Sequence, residues 1–123
     1  MKLPDLLLLA LGGVLGTWAR FGMTGLNRPA FPGGTLLVNV VGCLVMGAVL
    51  RGIETGMVKS EWRLFLGIGF LGAFTTFSTF SAETLALLHK GSINTALLYI
   101  GLTVAGCLLM VALGYRAALV FWR

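Results

Sequence analysis

The centre of the chain reads Gly67-Ile68-Gly69-Phe70-Leu71-Gly72-Ala73-Phe74-Thr75-Thr76-Phe77-Ser78-Thr79-Phe80-Ser81. Three glycines come first, and five of the last seven residues carry a hydroxyl group. Glycine lowers helix propensity, and serine and threonine side chains compete for backbone hydrogen-bond partners. We therefore expect a membrane-spanning helix that is broken near residues 72–79, at the bilayer midplane. Freed backbone carbonyls there would suit a small cation, and freed amides would suit an anion.

The whole chain has the composition of an integral membrane protein. Of its 123 residues, 58% are hydrophobic and 11% are charged, and the mean hydropathy is +0.97. Soluble domains carry roughly a quarter of their residues as Asp, Glu, Lys or Arg. A surface with so few charges must face lipid. The formal charge of +5 comes from scattered residues, which does not indicate nucleic-acid binding.

Four uncharged runs predict four membrane-spanning helices in a single all-α transmembrane domain, residues 1–123. Roughly 20 residues make one crossing of a bilayer. The expected spans are residues 4–26, 33–51, 62–89 and 92–117, and the third contains the break near 72–79. Gly12 and Gly16 in the first span have the spacing that lets helix backbones approach closely. Basic residues at the span ends favour termini in the cytoplasm.

Two other spans carry polar residues that are four apart, so each set shares one helix face. In the second span these are Thr35 and Asn39, and in the fourth they are Tyr99, Thr103 and Cys107. A polar side chain in lipid is costly unless it meets another polar group or water. Asn39 therefore either joins helices by a hydrogen bond or lines a polar pathway. Tyr99 is either an anchor at the membrane interface or, by its alignment with Thr103, part of a polar face. The sequence leaves these interpretations open.

Phe77 and Phe80 are three residues apart and share a face of the helix that follows the expected break. Ordinary apolar packing explains most phenylalanine pairs in membranes. Here the pair is interleaved with the hydroxyl residues Thr76, Ser78 and Thr79. An aromatic ring has a positive edge, and an edge-on ring meets an anion without the tight hold of a full charge.

Two segments of the chain carry a family resemblance. The first reads Gly34-Thr35-Leu36-Leu37-Val38-Asn39-Val40-Val41-Gly42, and the second continues from Gly69 through Thr75-Thr76-Phe77-Ser78-Thr79-Phe80 to Glu83. With the Gly16-x-x-x-Arg20 spacing in the first span, they resemble the CrcB/Fluc family of fluoride channels. The resemblance covers essentially the whole chain in length, number of spans and order of segments.

The resemblance implies an antiparallel homodimer in the bacterial inner membrane, with its two subunits inserted in opposite orientations. It implies two fluoride pores at the subunit interface that export fluoride passively and relieve its toxicity. A central structural Na⁺ would be held by the backbone carbonyls of Gly72 and Thr75, and Arg20 and Glu83 would lie in the pore vestibule. The residues implied to line the fluoride pore are Thr35, Asn39, Thr76, Phe77, Ser78, Thr79, Phe80, Tyr99 and Thr103.

Other function classes fit the sequence less well. A coupled transporter similar to small multidrug-resistance proteins needs a carboxylate deep in the first span, where this chain has Asp5 at the edge and the basic Arg20. A structural subunit would use its polar faces only to join helices. Cys43 and Cys107 are expected to be reduced packing residues, although similar channels commonly carry a hydroxyl in place of Cys107. One histidine and four carboxylates, none placed as a nucleophile–base pair, do not indicate an enzyme.

Overall fold

The computed structural model describes residues 1–121, and its regular structure is helical. Helix α1 spans Leu3–Thr24 and helix α2 spans Gly33–Glu54. Helix α3 (residues 60–74) consists of Ser60–Trp62, a π-helical segment Arg63–Leu71, and Gly72–Phe74. Helix α4 spans Phe77–His89 and helix α5 spans Ile93–Phe121.

Within residues 1–121, four segments are long and apolar enough to cross a membrane: α1, α2, the combined α3–α4 segment Ser60–His89, and α5. This confirms the all-helical, four-span architecture predicted from the uncharged runs. Helix α2 continues to Glu54 and α5 to Phe121, beyond the expected span ends at 51 and 117. A helix satisfies its own backbone groups, so it extends from the hydrocarbon into the headgroup region without cost to its hydrogen bonds.

Helix α1 lies against α3 through two glycines. A Cβ atom on Gly12 would collide with the carbonyl oxygen of Phe65, and one on Gly16 would collide with that of Phe70. Any larger residue would therefore push the two helices apart. This confirms the close backbone approach predicted from the spacing of Gly12 and Gly16.

Helices α2 and α5 run in the same direction and form the most extensive helix pair in the described chain. The Arg51 guanidinium lies 5.8 Å from the centre of the Tyr115 ring. One turn earlier, a Cβ atom on Gly47 would collide with the carbonyl oxygen of Val111. Because both helices advance by four residues between these two contacts, the register continues in the same steps toward their N-terminal ends.

Thr75 and Thr76 are extended and separate α3 from α4. The Thr76 side chain caps α4, because its Oγ1 accepts a hydrogen bond from the Thr79 backbone amide at 3.2 Å. The interruption lies inside the range 72–79 named from the sequence, and its placement at the bilayer midplane stays a prediction. The π-helical segment directly before it was not predicted, since hydrophobic periodicity does not distinguish a π-helix from an α-helix over so few turns.

Two buried apolar clusters hold the helices together. One contains Val38, Val49, Leu71 and Phe74, and it joins α2 to α3. The other contains Phe80, Leu87, Ala96 and Tyr99, and it joins α4 to α5. Most remaining large apolar side chains are exposed, as a surface in contact with lipid requires.

Candidate functional site

A cleft of about 330 Å³ opens where α2, α5 and the Thr75–Thr76 interruption meet. Its polar lining comes from Asn39 on α2, Thr76 in the interruption and Thr103 on α5. The structure therefore brings together polar faces from three separate spans. The residues that line the cleft are Asn39, Cys43, Thr75, Thr76, Phe77, Phe80, Thr103, Val104, Cys107 and Leu108.

Asn39 is bonded to the interrupted backbone in both directions. Its Nδ2 donates to the Thr76 carbonyl at 3.1 Å, and its Oδ1 accepts from the Thr76 amide at 2.8 Å. In an uninterrupted helix that amide would donate to the Gly72 carbonyl instead. The side chain that lines the cleft is thus also an interhelical brace, so the two interpretations left open by the sequence both describe part of its position.

Thr103 differs from its neighbours because its hydroxyl group is unused. The residue is 6% exposed. Its Oγ1 is buried and finds no hydrogen-bond partner among residues 1–121. Buried polar atoms without a partner are rare in folded proteins, and they commonly mark the place of a water molecule or an ion.

Phe77 and Phe80 lie side by side at the mouth of the cleft. Their ring centroids are 5.5 Å apart with the planes at 54°. Phe80 is 6% exposed and its ring lies 5.2 Å from that of Tyr99, whereas Phe77 is 77% exposed. Phe31, which precedes α2, meets Tyr99 edge-to-face at 5.6 Å. The row of rings therefore runs from the buried side of α5 to the open surface.

The Glu83 carboxylate accepts hydrogen bonds from three side chains, one of which is Tyr99. Its Oε1 accepts from Asn27 Nδ2 and from Thr35 Oγ1, both at 2.8 Å. Its Oε2 accepts from the Tyr99 hydroxyl at 2.7 Å. Thr35 and Tyr99 are fully buried and belong to this network. Neither of them lines the cleft that contains Thr103.

Asn27 was missed by the sequence reasoning. It lies in the connection before α2, where an asparagine two residues before a proline is typical of an ordinary turn. Its Oδ1 also accepts from the Thr35 backbone amide at 2.9 Å, near the start of α2. Asn27 is important because it bonds to a carboxylate 56 residues further along the chain. Hydrophobic periodicity gives no signal for a pairing over that distance.

A second cleft, of about 380 Å³, contains both residues named for the vestibule, Arg20 and Glu83. Thr79 also lines it, and Thr76 Oγ1 in the first cleft donates to Thr79 Oγ1 at 3.0 Å. A pair of bonded hydroxyl groups therefore separates the two clefts. Ser78 is exposed, and its hydroxyl lies 3.4 Å from that of Thr76.

Gly72 and Thr75 lie at the end of α3, where its regular hydrogen bonding stops. The Gly72 carbonyl has lost its usual donor, because the Thr76 amide bonds to Asn39. The Thr75 backbone is extended, and its hydroxyl donates to the Leu71 carbonyl at 2.9 Å. The part of the chain that the structure describes has no group of three or more His, Cys, Asp or Glu residues that could hold a metal ion. A cation at this position would therefore depend on neutral carbonyl oxygens.

Comparison with known proteins gives consistent matches along the chain. The profile of the family described as CrcB-like protein, Camphor Resistance (CrcB), matches residues 7–115. A protein of Methanocaldococcus jannaschii named fluoride-specific ion channel FluC is 42% identical over 121 residues, which is 97% of this chain and 98% of that protein. Proteins of the same name from Thermus thermophilus and Shewanella frigidimarina are 46% and 44% identical, over 94% and 98% of this chain and 94% and 99% of their own lengths.

Proposed function

The chain belongs to the CrcB-like protein family, and we propose that it is a fluoride-selective ion channel through which fluoride leaves the cell passively. Its four apolar helices make it a multi-pass membrane protein. A channel conducts an ion without making or breaking covalent bonds, so the chain is not an enzyme. Relatives named as fluoride channels align with nearly its full length, which supports the proposal.

The observation that carries the proposal is the hydroxyl group of Thr103, which has no hydrogen-bond partner among residues 1–121. It is buried in a mostly apolar cleft beside Asn39 and Thr76. A small anion that leaves water must replace lost hydrogen-bond donors with donors from the protein. The Thr103 hydroxyl can donate a hydrogen bond to such an ion, because no acceptor among the described residues competes for it.

The rings of Phe77 and Phe80 complete this environment. The positive edge of an aromatic ring attracts an anion more weakly than a lysine or arginine does. Conduction requires sites that bind an ion strongly enough for entry but weakly enough for exit. Hydroxyl groups and ring edges without a full positive charge meet that requirement in the cleft of Thr103.

The proposed route joins the two clefts through the bonded hydroxyl groups of Thr76 and Thr79. Arg20 lies in the second cleft and supplies positive charge for an approaching anion. From there the ion passes the two threonines and reaches Thr103. Rotation of a hydroxyl group reassigns its hydrogen bond from protein to ion, so no large movement of the backbone is needed.

The working unit in this proposal is an antiparallel homodimer. Gly72, Phe77 and Ser78 are exposed around the interruption, and the cleft of Thr103 opens at the surface of the subunit. Irregular backbone within the hydrocarbon region of a bilayer must be covered by protein or face a water-filled cavity. A second copy inserted in the opposite orientation would cover the interruption of the first with its own.

The residues at the end of α3 fit the structural Na⁺ that the family resemblance implies. The Gly72 carbonyl lacks its helical donor, and Gly72 lies on the exposed face of α3. Carbonyl oxygens are hard ligands suited to cations such as sodium. One subunit would supply the carbonyls of Gly72 and Thr75, and the second subunit would supply the same pair. When bound, the ion would offset the dipoles of these carbonyl groups.

The proposal is tested with purified protein in liposomes that contain both fluoride and chloride. A fluoride electrode should record rapid loss of fluoride while a chloride electrode records retention. Thr103→Val removes the hydroxyl group at nearly constant volume and should slow fluoride loss. The matched control is Thr84→Val, whose hydroxyl bonds locally to the Phe80 carbonyl and should leave the rate close to wild type. Equal loss of both halides would contradict selectivity.

Three further measurements separate the parts of this proposal. Fluoride movement coupled to protons in a fixed ratio would favour a transporter over a passive channel. Chemical crosslinking in native membranes should give a band at twice the subunit mass, and a band only at the subunit mass would contradict the dimer. Replacing sodium with a bulky organic cation should weaken that dimer band, which tests the Na⁺ site by assembly rather than by flux.

A further inference from the structure

The register of α2 and α5 places Cys43 and Cys107 opposite each other. Gly47 lies against Val111, and Arg51 lies against Tyr115, on successive turns of the two helices. One turn before Gly47 and Val111, the same register reaches Cys43 and Cys107. The two thiols therefore lie on facing turns of α2 and α5.

These cysteines are also reachable from the cleft of Thr103. Both line that cleft, and both are half-buried rather than sealed in the core. Neither forms a disulfide. Both cysteines are free thiols, as the sequence predicted, and both also face an open cavity.

From this geometry, we propose that Cys43 and Cys107 bind one soft, two-coordinate metal cation, of the class of Hg(II), Ag(I) and Cu(I), within the fluoride route. Binding breaks both S–H bonds, forms two sulfur–metal bonds and releases two protons to water, so nothing is oxidised or reduced. The effect on fluoride rests on the function proposed above, because the cation would lie in the cleft that fluoride uses.

The ligand set explains why the proposed class is two-coordinate. Thiolate ligands select soft metals, whereas structural Zn²⁺ sites almost always use four ligands. The side-chain oxygen atoms that share the cleft, on Asn39, Thr75, Thr76 and Thr103, belong to hard neutral ligands. The described residues also contain no third His, Cys, Asp or Glu grouped with the two thiols. Tight binding of Zn²⁺ is therefore not expected.

The test measures binding and flux separately, using mercuric nitrate in chloride-free buffer as the probe. Purified protein is loaded with Hg(II), washed with a monothiol such as 2-mercaptoethanol, and analysed for retained mercury. Wild type should retain about one Hg(II) per chain, because two linked ligands resist a single competing thiol about 100-fold better than one. Cys43→Ser and Cys107→Ser should each lose the metal in the same wash. Retention by either single variant equal to wild type would overturn the site.

The chain contains two cysteines in all, so the double variant Cys43→Ser, Cys107→Ser is free of thiols and is the control for flux. In liposomes, Hg(II) should stop most fluoride loss through wild type, and a dithiol should restore it. The double variant, compared with its own untreated rate, should be unaffected. Retained mercury with unchanged wild-type flux would overturn the placement in the fluoride route.

These readouts also separate this inference from the function on which it rests. If untreated wild type conducts no fluoride, the proposed function fails, and mercury retention alone decides whether the two-thiol site exists. Size-exclusion profiles show whether the serine variants fold. Should a serine variant aggregate, the corresponding alanine variant takes its place, and the expected loss of retained mercury is the same.

Discussion

Asn39 and Thr76 exchange two hydrogen bonds, of 2.8 and 3.1 Å, across the junction between α2 and the interruption of the third span. Both residues are buried. The asparagine amide carries a donor and an acceptor in one plane, which this exchange needs. Asn39 therefore replaces, for one turn, the backbone bonding that the interruption removes.

Asn39→Leu should destabilise the protein, because leucine has a branched shape similar to that of asparagine but carries no hydrogen-bonding group. The change leaves the Thr76 amide and carbonyl without their partner, at a cost of about 1–3 kcal/mol for each buried group. Detergent-titrated unfolding, followed by tryptophan fluorescence, measures the change in free energy. Leu37→Ala, on an exposed part of the same helix, is the control and should shift the midpoint far less. Wild-type stability of Asn39→Leu would contradict the bracing role.

Tyr99→Phe should destabilise the protein more than Tyr115→Phe, although each tyrosine donates to a glutamate. Tyr99 is fully buried and donates to Glu83 Oε2 at 2.7 Å, so its loss removes a donor from a partly buried carboxylate and should cost about 1.5–3 kcal/mol. Tyr115 donates to Glu54, which is exposed, and the effect there should stay within about 0.5 kcal/mol. The same unfolding assay compares them, and equal shifts would exclude a special role for the Glu83 network.

Phe77→Ile and Phe80→Ile should each slow fluoride loss from liposomes without preventing assembly. The change removes a ring edge whose positive charge attracts the anion. With an interaction similar in size to an exposed cation–π contact, about 0.5–1 kcal/mol, the rate should decrease about 2- to 5-fold. Phe121→Ile is the matched control, because Phe121 is 81% exposed at the end of α5. Wild-type rates in both cleft variants would contradict a role for the ring edges.

The number of helices and the meeting of the polar faces could be predicted from the sequence. Uncharged runs bounded by charges determine the spans, because a charged residue in hydrocarbon is costly. The four-residue spacing of Thr35 and Asn39 fixed their shared face within one helix. The spacing did not predict that the two residues bond to different partners. Asn39 bonds to Thr76, whereas Thr35 bonds to Glu83 and Asn27.

The remaining features depend on contacts between helices, which a single sequence does not encode in any local pattern. Asn27 and Glu83 meet across 56 residues, and no periodicity links them. The two cysteines come to line one cleft only through the register of α2 against α5. That register is fixed by the close backbone approach at Gly47 and Gly114, and the glycines alone do not show which helix they face.

Gly114→Ala tests this register directly. A Cβ atom on Gly114 would collide with the Leu44 carbonyl oxygen, next to Cys43. This oxygen cannot turn aside without losing its hydrogen bond within α2. The two helices must therefore move apart as whole units, at a cost of about 1–3 kcal/mol. The separation should also reduce mercury retention by the two thiols, because it moves Cys43 away from Cys107.

Gly101→Ala is the matched control in the same helix. Nothing lies within 4 Å of a Cβ atom built at Gly101, and alanine has a higher helix propensity than glycine by about 1 kcal/mol. This variant should therefore unfold at an equal or higher detergent fraction than wild type and should retain mercury normally. If the two alanine variants behave alike in both measurements, then the close approach at Gly114 does not set the distance between α2 and α5, and the pairing of their residues turn by turn would have to be abandoned.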